Sequence, residues 1–264
     1  MTSSMSTVLI IGGSAGIGLA FAERLHAQGK KVIITGRNTS RLNDISKSNE
    51  GISTYAFDIT DLSSIPHHLD QLFTQHPSID TIWLNAGGQT PFSLKDLDST
   101  TDAAVINEVT ANLTAPILIT RHVIPHLLRL RDASKPATLI TTSSGLGFVP
   151  LGSLFPGYCA TKAAVHQWTV GTRQALKGTG VNVIEIVPPY VEGTDLGRGF
   201  NPAYAEMLKG MKGLGLDEFT EEIFQQLDGN DGKGLKEVAA GTAKDRAGAW
   251  RESVGELMVK MGLD

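Results

Sequence analysis

The strongest constraint on the fold is a regular alternation of two kinds of segment along the chain. Short apolar runs, typical of buried strands, are separated by longer stretches with the periodicity of amphipathic helices. The runs are 8–12, 31–36, 53–58, 81–87, 137–144 and 182–189, and the helical stretches are 17–29, 61–75, 100–130 and 159–177. Because the runs are apolar on both faces, helices must cover both sides of the sheet. The pattern predicts one doubly wound α/β domain over residues 1–264, with no repeat or linker dividing it.

Composition excludes several functional classes for such a domain. Of the 264 residues 41% are apolar and 19% charged, and the net charge of −4 gives no basis for binding nucleic acid or an anionic membrane. The longest uncharged stretch, 136–161, is interrupted by prolines and glycines, so we expect no membrane span. The single cysteine, Cys159, and the short N-terminal apolar run favour a cytoplasmic protein. His122 and His126 lack a third ligand, so we expect no metal site.

A glycine-rich turn, IIGGSAGIGLA (10–20), follows the first apolar run and opens the first helix. Gly12, Gly16 and Gly18 let the backbone turn tightly and approach a pyrophosphate, whose charge the free N–H groups of the helix N-terminus meet. The turn predicts a dinucleotide site that also includes Ser14 and Ile17. The alternative is a tight turn without a ligand.

The end of the second run indicates which dinucleotide is bound. A carboxylate there would accept a hydrogen bond from a ribose 2′-hydroxyl and favour NAD. Instead Gly36 leaves space and Arg37 supplies a guanidinium, and no acidic residue occurs between Lys30 and Leu42. Since arginine pairs well with phosphate, we expect NADP(H). The alternative is a solvated arginine just past a strand.

The third and fourth runs end at the same predicted edge of the sheet, where the ligand crevice of a doubly wound fold forms. Asp58 is a candidate acceptor for an adenine amino group, with Ile59 against the ring. Asn85, Ala86 and Gly87 follow the fourth run, and we expect their backbone to approach the cofactor ribose.

Tyr158 and Lys162 are four residues apart in the segment YCATK, so a helix would project both from the same face. Taken alone, this spacing is also that of an ordinary surface pair on a helix. The glycine turn, Arg37 and Asn85 upstream favour a functional pair.

In the order of these motifs the chain resembles the classical short-chain dehydrogenases/reductases. The resemblance covers residues 7 to about 194 and rests on GGSAGIG, TGR, FDIT, LNAG, NLTAP, TTSSG, YCATK and VPPYVEGT. It implies a Rossmann domain with a mostly seven-stranded parallel sheet. It also implies a catalytic set of Asn112, Ser144, Tyr158 and Lys162.

The resemblance further implies that Pro188, Val191 and Thr194 contact the cofactor, Thr194 through the carboxamide. Two differences from the family pattern lie in this segment. Pro188 and Pro189 replace the usual Pro-Gly pair, and Gly193 is an additional residue before Thr194.

The catalytic set has a definite chemistry if the resemblance holds. Tyr158 would exchange a proton with the substrate oxygen, and a free phenol with a pKa near 10 is poorly matched to neutral pH. We therefore expect the Lys162 ammonium to lower the pKa of Tyr158 and to donate to ribose hydroxyls. Ser144, chosen over Ser143 on the resemblance, would orient the substrate oxygen, and Asn112 would hold a water that passes protons to Lys162.

The alternation weakens after residue 194. The amphipathic segment 217–228 predicts a helix, and 235–241 predicts a short last strand. We expect about 190–235 to bind substrate, with 194–216 as a mobile lid; the alternative is an ordinary surface connection.

An apolar pocket is expected between this segment and the uncharged loop 145–157. Its predicted lining is Leu146, Phe148, Leu151, Leu154, Phe155 and Tyr190, closed by Phe200 or Met207. The leading hypothesis is an NADP(H)-dependent oxidoreductase, most simply an NADPH-dependent ketoreductase of a small or medium organic substrate, acting as a homodimer or homotetramer. The alternatives are a non-catalytic NADPH-binding sensor or scaffold, and an isomerase that uses bound cofactor.

Overall fold

The structure, a computed structural model, describes residues 2–91, 93–194, 196, 210, 212–229 and 234–263. Nine strands lie in this part of the chain. They are β1 (Thr7–Ile11), β2 (Lys31–Gly36), β3 (Ile52–Ala56), β4 (Thr81–Leu84), β5 (Thr138–Thr142), β6 (Asn182–Val187), β7 (Val191–Glu192), β8 (Leu214–Gly215) and β9 (Glu237–Ala239). Seven of them form one parallel sheet in the order β3-β2-β1-β4-β5-β6-β9. The predicted doubly wound fold with a seven-stranded parallel sheet is confirmed.

Helices follow the strands as the sequence pattern predicts. The α-helices of the described residues are α1 (Gly16–Ala27), α2 (Thr39–Ser48), α3 (Ile65–Gln75), α4 (Asp102–Val109), α5 (Ala115–Asp132), α6 (Pro156–Ala175), α7 (Leu216–Asp228), α8 (Ala243–Trp250) and α9 (Glu256–Lys260). Short 3₁₀ turns lie at Thr2–Ser4, Leu97–Ser99 and Gly145–Gly147, and π-helical turns at Thr110–Thr114 and Arg251–Gly255.

Two apolar clusters pack on opposite faces of the sheet, which explains why the strands are apolar on both sides. On one face Phe21 of α1 lies against Trp83 of β4, with ring centroids 4.6 Å apart. On the other face Leu69 of α3 and Ile119 of α5 belong to the second cluster. All five residues of β1 are buried.

A π-helical turn joins α4 to α5 and contains Asn112. Pro116 lacks the N–H that would bond the carbonyl of Asn112 in a regular α-helix, so the hydrogen-bond ladder widens at this point. The continuous stretch Asp102–Asp132 is long and apolar enough, by length and composition, to cross a membrane. In the structure it flanks the sheet, with Ile119, Val123 and Leu127 in the core.

Helix α7 occupies most of the second half of the segment 190–235, which the sequence predicted to bind substrate. Its residues Phe219 and Phe224 are buried, and the ring of Phe219 stacks on Phe21 with centroids 5.7 Å apart. The second half of the 190–235 segment is therefore part of the core rather than a lid. Before it, β7 pairs with β8 in parallel, which brings Leu214 beside Val191 and Gly215 beside Glu192. The mobility expected of 194–216 falls largely on 195, 197–209 and 211, which lie outside the described residues.

Candidate active site

One cleft of about 1670 Å³ lies at the carboxyl ends of the parallel strands. All the predicted site residues line it except Gly18 and Asn112. Those in the lining are Gly12, Ser14, Gly16, Ile17, Arg37, Asp58, Ile59, Asn85, Ala86, Gly87, Ser144, Tyr158, Lys162, Pro188, Val191 and Thr194. We call the lining residues of 12–17, 35–41, 57–60 and 85–91 the N-terminal wall. Those of 145–151, 188–194, 212–214 and 241–246 form the C-terminal wall, and Ser144, Tyr158 and Lys162 lie between the two.

The glycine turn is held against β4 by close backbone contacts. Gly12 has a φ of +87°, and a Cβ built there would lie 2.5 Å from the backbone of Ala86. The Asn85 side chain donates to the Gly12 carbonyl at 2.9 Å. Gly18 lies under the turn rather than in the cleft, because a Cβ there would be 2.2 Å from the same carbonyl oxygen. Its role is packing of α1 against the turn.

The N-terminus of α1 fits a pyrophosphate. The first N–H groups of a helix have no intrahelical acceptors, and Gly16 and Ile17 at the start of α1 line the cleft. The first turn of α1 contains no acidic residue that would repel an anion.

Two arginines line the cleft beside β2. The predicted Arg37 follows the strand directly, and Arg41 stands one turn into α2, whose N-cap Asn38 accepts from the Arg41 backbone N–H at 3.0 Å. Arg41 was missed by sequence reasoning, although its position four residues after Arg37 was a usable signal. Asp58 lines the same wall, and one of its carboxylate oxygens accepts from the Thr60 amide at 2.9 Å.

Tyr158 is buried at the start of α6, beside Ser144 at the end of β5. Burial raises the pKa of the Tyr158 phenol, and a hydrogen bond with Ser144 opposes this rise. The neighbouring Ser143 hydroxyl instead lies 3.5 Å from the Ile186 carbonyl. Of the two adjacent serines, Ser144 is therefore the one that meets the tyrosine.

Lys162 is buried one turn further along α6, and its Nζ donates to the Thr142 carbonyl at 2.9 Å. Burial lowers the pKa of Lys162 to about 8, while the charges of Glu108 and Glu185 oppose the shift. The expectation that Lys162 lowers the pKa of Tyr158 is not met. The ammonium lies 5.6 Å from the centre of the phenol ring and bonds elsewhere, so burial decides the direction of the Tyr158 shift.

Asn112 lies behind the cleft and fixes the loop after β4. Its Oδ1 accepts from the Gly88 amide at 2.8 Å, and its Nδ2 donates to the Gly88 carbonyl at 2.8 Å and to Thr161 Oγ1 at 3.1 Å. The water relay through Asn112 stays a prediction. Buried Glu108, which accepts from the Thr90 amide, is a further charge near Lys162. Sequence reasoning missed it, since nothing marks one glutamate on a helix as buried.

The C-terminal wall differs from the predicted apolar pocket. Leu146, Leu151 and Tyr190 line it as predicted, and the predicted Phe155 lines the cleft outside this wall. Two other predicted residues do not: Leu154 packs beneath the loop in a small cluster with Phe155 and Tyr158, and Phe148 turns toward the His166 ring, with centroids 4.3 Å apart. The proposed closing residues Phe200 and Met207 lie outside the described residues. Three polar residues of this wall were missed: Lys212, Thr242 and Arg246.

Thr194 reaches the glycine turn despite the additional residue before it. Gly193 has a φ of +78°, and the Thr194 hydroxyl donates back to the Val191 carbonyl at 3.0 Å. The side chain of Thr194 lies 3.3 Å from where a Cβ on Gly16 would stand. The left-handed conformation of Gly193 thus absorbs the extra residue.

Comparison with known proteins agrees with this geometry. Residues 6–205 match the short chain dehydrogenase family. The chain is 36% identical over 194 residues to the uncharacterized oxidoreductase DltE of Bacillus subtilis, covering 73% of this chain and 74% of the relative. It is 31% identical over 230 residues to the serine 3-dehydrogenase of Agrobacterium fabrum, covering 83% and 86%. A serine dehydrogenase solved in complex with NADP+ superposes with a TM-score of 0.77 at 24% identity, over 89% of this chain and 94% of that one. The chain therefore belongs to the classical short-chain dehydrogenases/reductases, a family of oxidoreductases.

Proposed function

We propose that the protein is an NADPH-dependent carbonyl reductase that converts a ketone or aldehyde of a small or medium organic substrate to the alcohol, and catalyses the reverse oxidation. The observation that carries this proposal is the position of Tyr158. Its buried phenol lies beside Ser144, in the same cleft as the glycine turn and the two arginines. A phenol in that position can exchange a proton with a substrate oxygen that lies next to a bound dinucleotide.

The residues divide the work of the reaction. NADPH, when bound, supplies the hydride. Ser144 and Tyr158 hold the carbonyl oxygen by hydrogen bonds, and Tyr158 gives its proton to that oxygen as negative charge develops there. Burial raises the pKa of the Tyr158 phenol, so at neutral pH the phenol carries the proton that the reduction consumes.

Lys162 and Asn112 act around this pair. Lys162, with a pKa of about 8, is largely charged at neutral pH and would hold ribose hydroxyls. Asn112 keeps Gly88, and with it the loop after β4, in place at the edge of the cleft. As part of the proposal, the water relay through Asn112 would return a proton to the site.

The preference for NADP(H) over NAD(H) rests on Arg37 and Arg41. Both line the cleft beside β2. A guanidinium pairs well with the phosphate that NADP(H) carries on its ribose, whereas NAD(H) has a hydroxyl there. The NADP+ complex of the similar serine dehydrogenase supports the same choice.

We further propose a cytoplasmic homodimer or homotetramer formed through α4 and α5. Ile106 and Val109 of α4 are 64% and 37% exposed, which leaves apolar surface for another subunit. The single cysteine, Cys159, supports a reducing compartment.

The test follows the oxidation of NADPH and of NADH against a panel of ketones, aldehydes, quinones and enones, with wild type and Tyr158→Phe. We expect the wild type to consume NADPH in preference to NADH and to form the alcohol. Removing the phenol hydroxyl should lower kcat by about 10²–10⁴-fold while the NADPH dissociation constant changes little.

Other outcomes identify the alternatives. A wild type that binds NADPH but reduces no carbonyl compound would be a cofactor-binding sensor or scaffold. Product formation without net loss of NADPH would indicate an isomerase. Equal turnover by wild type and Tyr158→Phe would remove the tyrosine from the mechanism.

A further inference from the structure

A cationic side chain stands in the C-terminal wall next to the catalytic serine. Helix α8 packs on the 3₁₀ turn Gly145–Gly147, which begins directly after Ser144. A Cβ built at Gly145 would lie 3.1 Å from Ala243 Cβ and 3.3 Å from Arg246 Cδ. The stem of Arg246 therefore runs along the residue that follows Ser144, and Arg246 lines the cleft.

Among the described residues, few of the N–H donors of the Arg246 guanidinium are used. Its Nη1 lies 3.5 Å from the Val149 carbonyl, a long contact, whereas an arginine offers five N–H donors. Among the residues that the structure describes, no carboxylate lies within 4.0 Å of Arg246. Burial raises the pKa of the Cys159 thiol; backbone hydrogen bonds oppose that rise most, and the Arg246 charge opposes it to a smaller extent. The guanidinium is thus within electrostatic reach of the residue beside Tyr158.

Charge is distributed unevenly between the two ends of the cleft. The one acidic side chain among the described lining residues is Asp58, which follows β3 at one edge of the sheet. Arg246 follows β9 at the opposite edge, and Lys212 is a second cation of the C-terminal wall. An anion near Arg246 would meet this guanidinium at the end of the cleft away from Asp58, the one described lining carboxylate.

We infer that Arg246 binds an anionic group of the substrate, a carboxylate or a similar oxyanion, while the carbonyl of the same molecule reaches Ser144 and Tyr158. This inference rests on the proposed reductase function and names its substrate class: an oxo acid rather than a neutral ketone. A guanidinium recognises a carboxylate through two parallel hydrogen bonds, which fixes orientation as well as charge. Arg246 is then a specificity-determining residue of the C-terminal wall.

A structural role for Arg246 makes a different prediction. If its only task were to hold the loop through the Val149 carbonyl, its loss would affect acids and esters alike. The test therefore compares each acid with its own methyl ester, which keeps the carbonyl and removes the charge. The probes are 2-oxobutanoate, 3-oxobutanoate and 4-oxopentanoate, because the distance between carbonyl and anion is left open.

Two readouts are taken on wild type, Arg246→Met, Arg246→Lys and the control Lys244→Met. The first is kcat and KM with NADPH, and the second is the shift in thermal unfolding midpoint that each probe causes in the presence of NADP+. Lys244 lies on the same helix, is 52% exposed and pairs with Glu222, so its loss makes the same change in net charge outside the cleft.

In wild type we expect at least one acid to have a lower KM than its ester and to raise the unfolding midpoint more. Arg246→Met should raise the KM of that acid by about 10- to 100-fold, abolish its thermal shift, and leave the ester nearly unchanged. Arg246→Lys should keep part of the preference, and Lys244→Met all of it.

The outcomes separate the two hypotheses. An acid-specific thermal shift that depends on Arg246, without turnover of any probe, would support the anion site and count against the reductase. Turnover of carbonyl compounds with no difference between acids and esters, in wild type and in Arg246→Met, would overturn the anion site and leave the reductase standing. If no acid raises the unfolding midpoint more than its ester, the inference is overturned whatever the turnover.

Discussion

The two walls of the cleft differ in what shapes them, a packed backbone turn in one and large side chains in the other. The N-terminal wall is built around a tightly packed backbone turn: Gly12 lies so close to Ala86 that a methyl group does not fit, and the Asn85 amide bonds the turn directly. The C-terminal wall includes residues with large side chains, among them Leu151, Tyr190 and Arg246. The shape of a surface formed by backbone is fixed by the fold, whereas the shape of a surface formed by side chains changes with each substitution.

This difference suits a site that combines an invariant ligand with a variable one. A dinucleotide presents the same pyrophosphate to every protein that binds it, so a tight turn and a helix N-terminus suffice. A substrate is recognised by its shape and charge, which require side chains of chosen size and sign. We expect the N-terminal wall to be intolerant of small changes and the C-terminal wall to accept them.

The largest effect is expected from one methyl group in the N-terminal wall. Gly12→Ala puts a Cβ 2.5 Å from the Ala86 backbone at a φ of +87°, where an L-residue is strained. Strain and overpacking together should cost about 2–5 kcal/mol of unfolding free energy and weaken NADPH binding. Urea unfolding and NADPH fluorescence titration measure both quantities.

A matched control separates the site from the mutation type. Gly171 lies on the exposed side of α6, and a Cβ there meets no atom within 4 Å. Gly171→Ala should stabilise the helix by about 0.5–1 kcal/mol and leave NADPH binding unchanged. If Gly12→Ala behaved like Gly171→Ala, the close backbone contact at the glycine turn would not matter for the site.

The next effect concerns Lys162, between the walls. Burial lowers its pKa from 10.5 to about 8, with the charges of Glu108 and Glu185 opposing. Between these two values Lys162 is protonated in the unfolded chain and deprotonated in the folded chain. Its contribution to the free energy of unfolding therefore rises with pH in this window. From pH 7 to 9.5 the wild type should gain about 2 kcal/mol relative to Lys162→Met.

Urea unfolding of both proteins at the two pH values tests this sign. The comparison with Lys162→Met cancels the other groups that titrate in the same range, and pH 9.5 stays below the titration of Tyr158, whose pKa is raised. A stability difference that stays constant, or that moves against the wild type, would mean that the buried ammonium is solvated or better paired than the geometry indicates.

What could be predicted from sequence follows the same division between the walls. The strands, the glycine turn, Arg37 and the Tyr158–Lys162 pair are local patterns, in which spacing along the chain fixes position in space. Arg246 was not predictable, because it meets Val149 across 97 residues, where α8 packs on the turn Gly145–Gly147. The predicted lowering of the Tyr158 pKa was wrong for a related reason: burial in the folded protein raises this pKa, and Lys162 one helical turn away does not outweigh it.

The smallest effect tests the tolerance of the C-terminal wall. Val149 lines the cleft and is 49% exposed, so Val149→Ala removes apolar contact surface without opening a cavity in the core. Its unfolding free energy should change by no more than about 0.5 kcal/mol. The KM of a bulky ketone should rise by roughly two- to five-fold, since about one methylene of contact is lost, while the NADPH dissociation constant stays the same. A large loss of stability or of NADPH binding in this variant would show that the two walls are coupled, and the division between an intolerant backbone surface and a tolerant side-chain surface would fail.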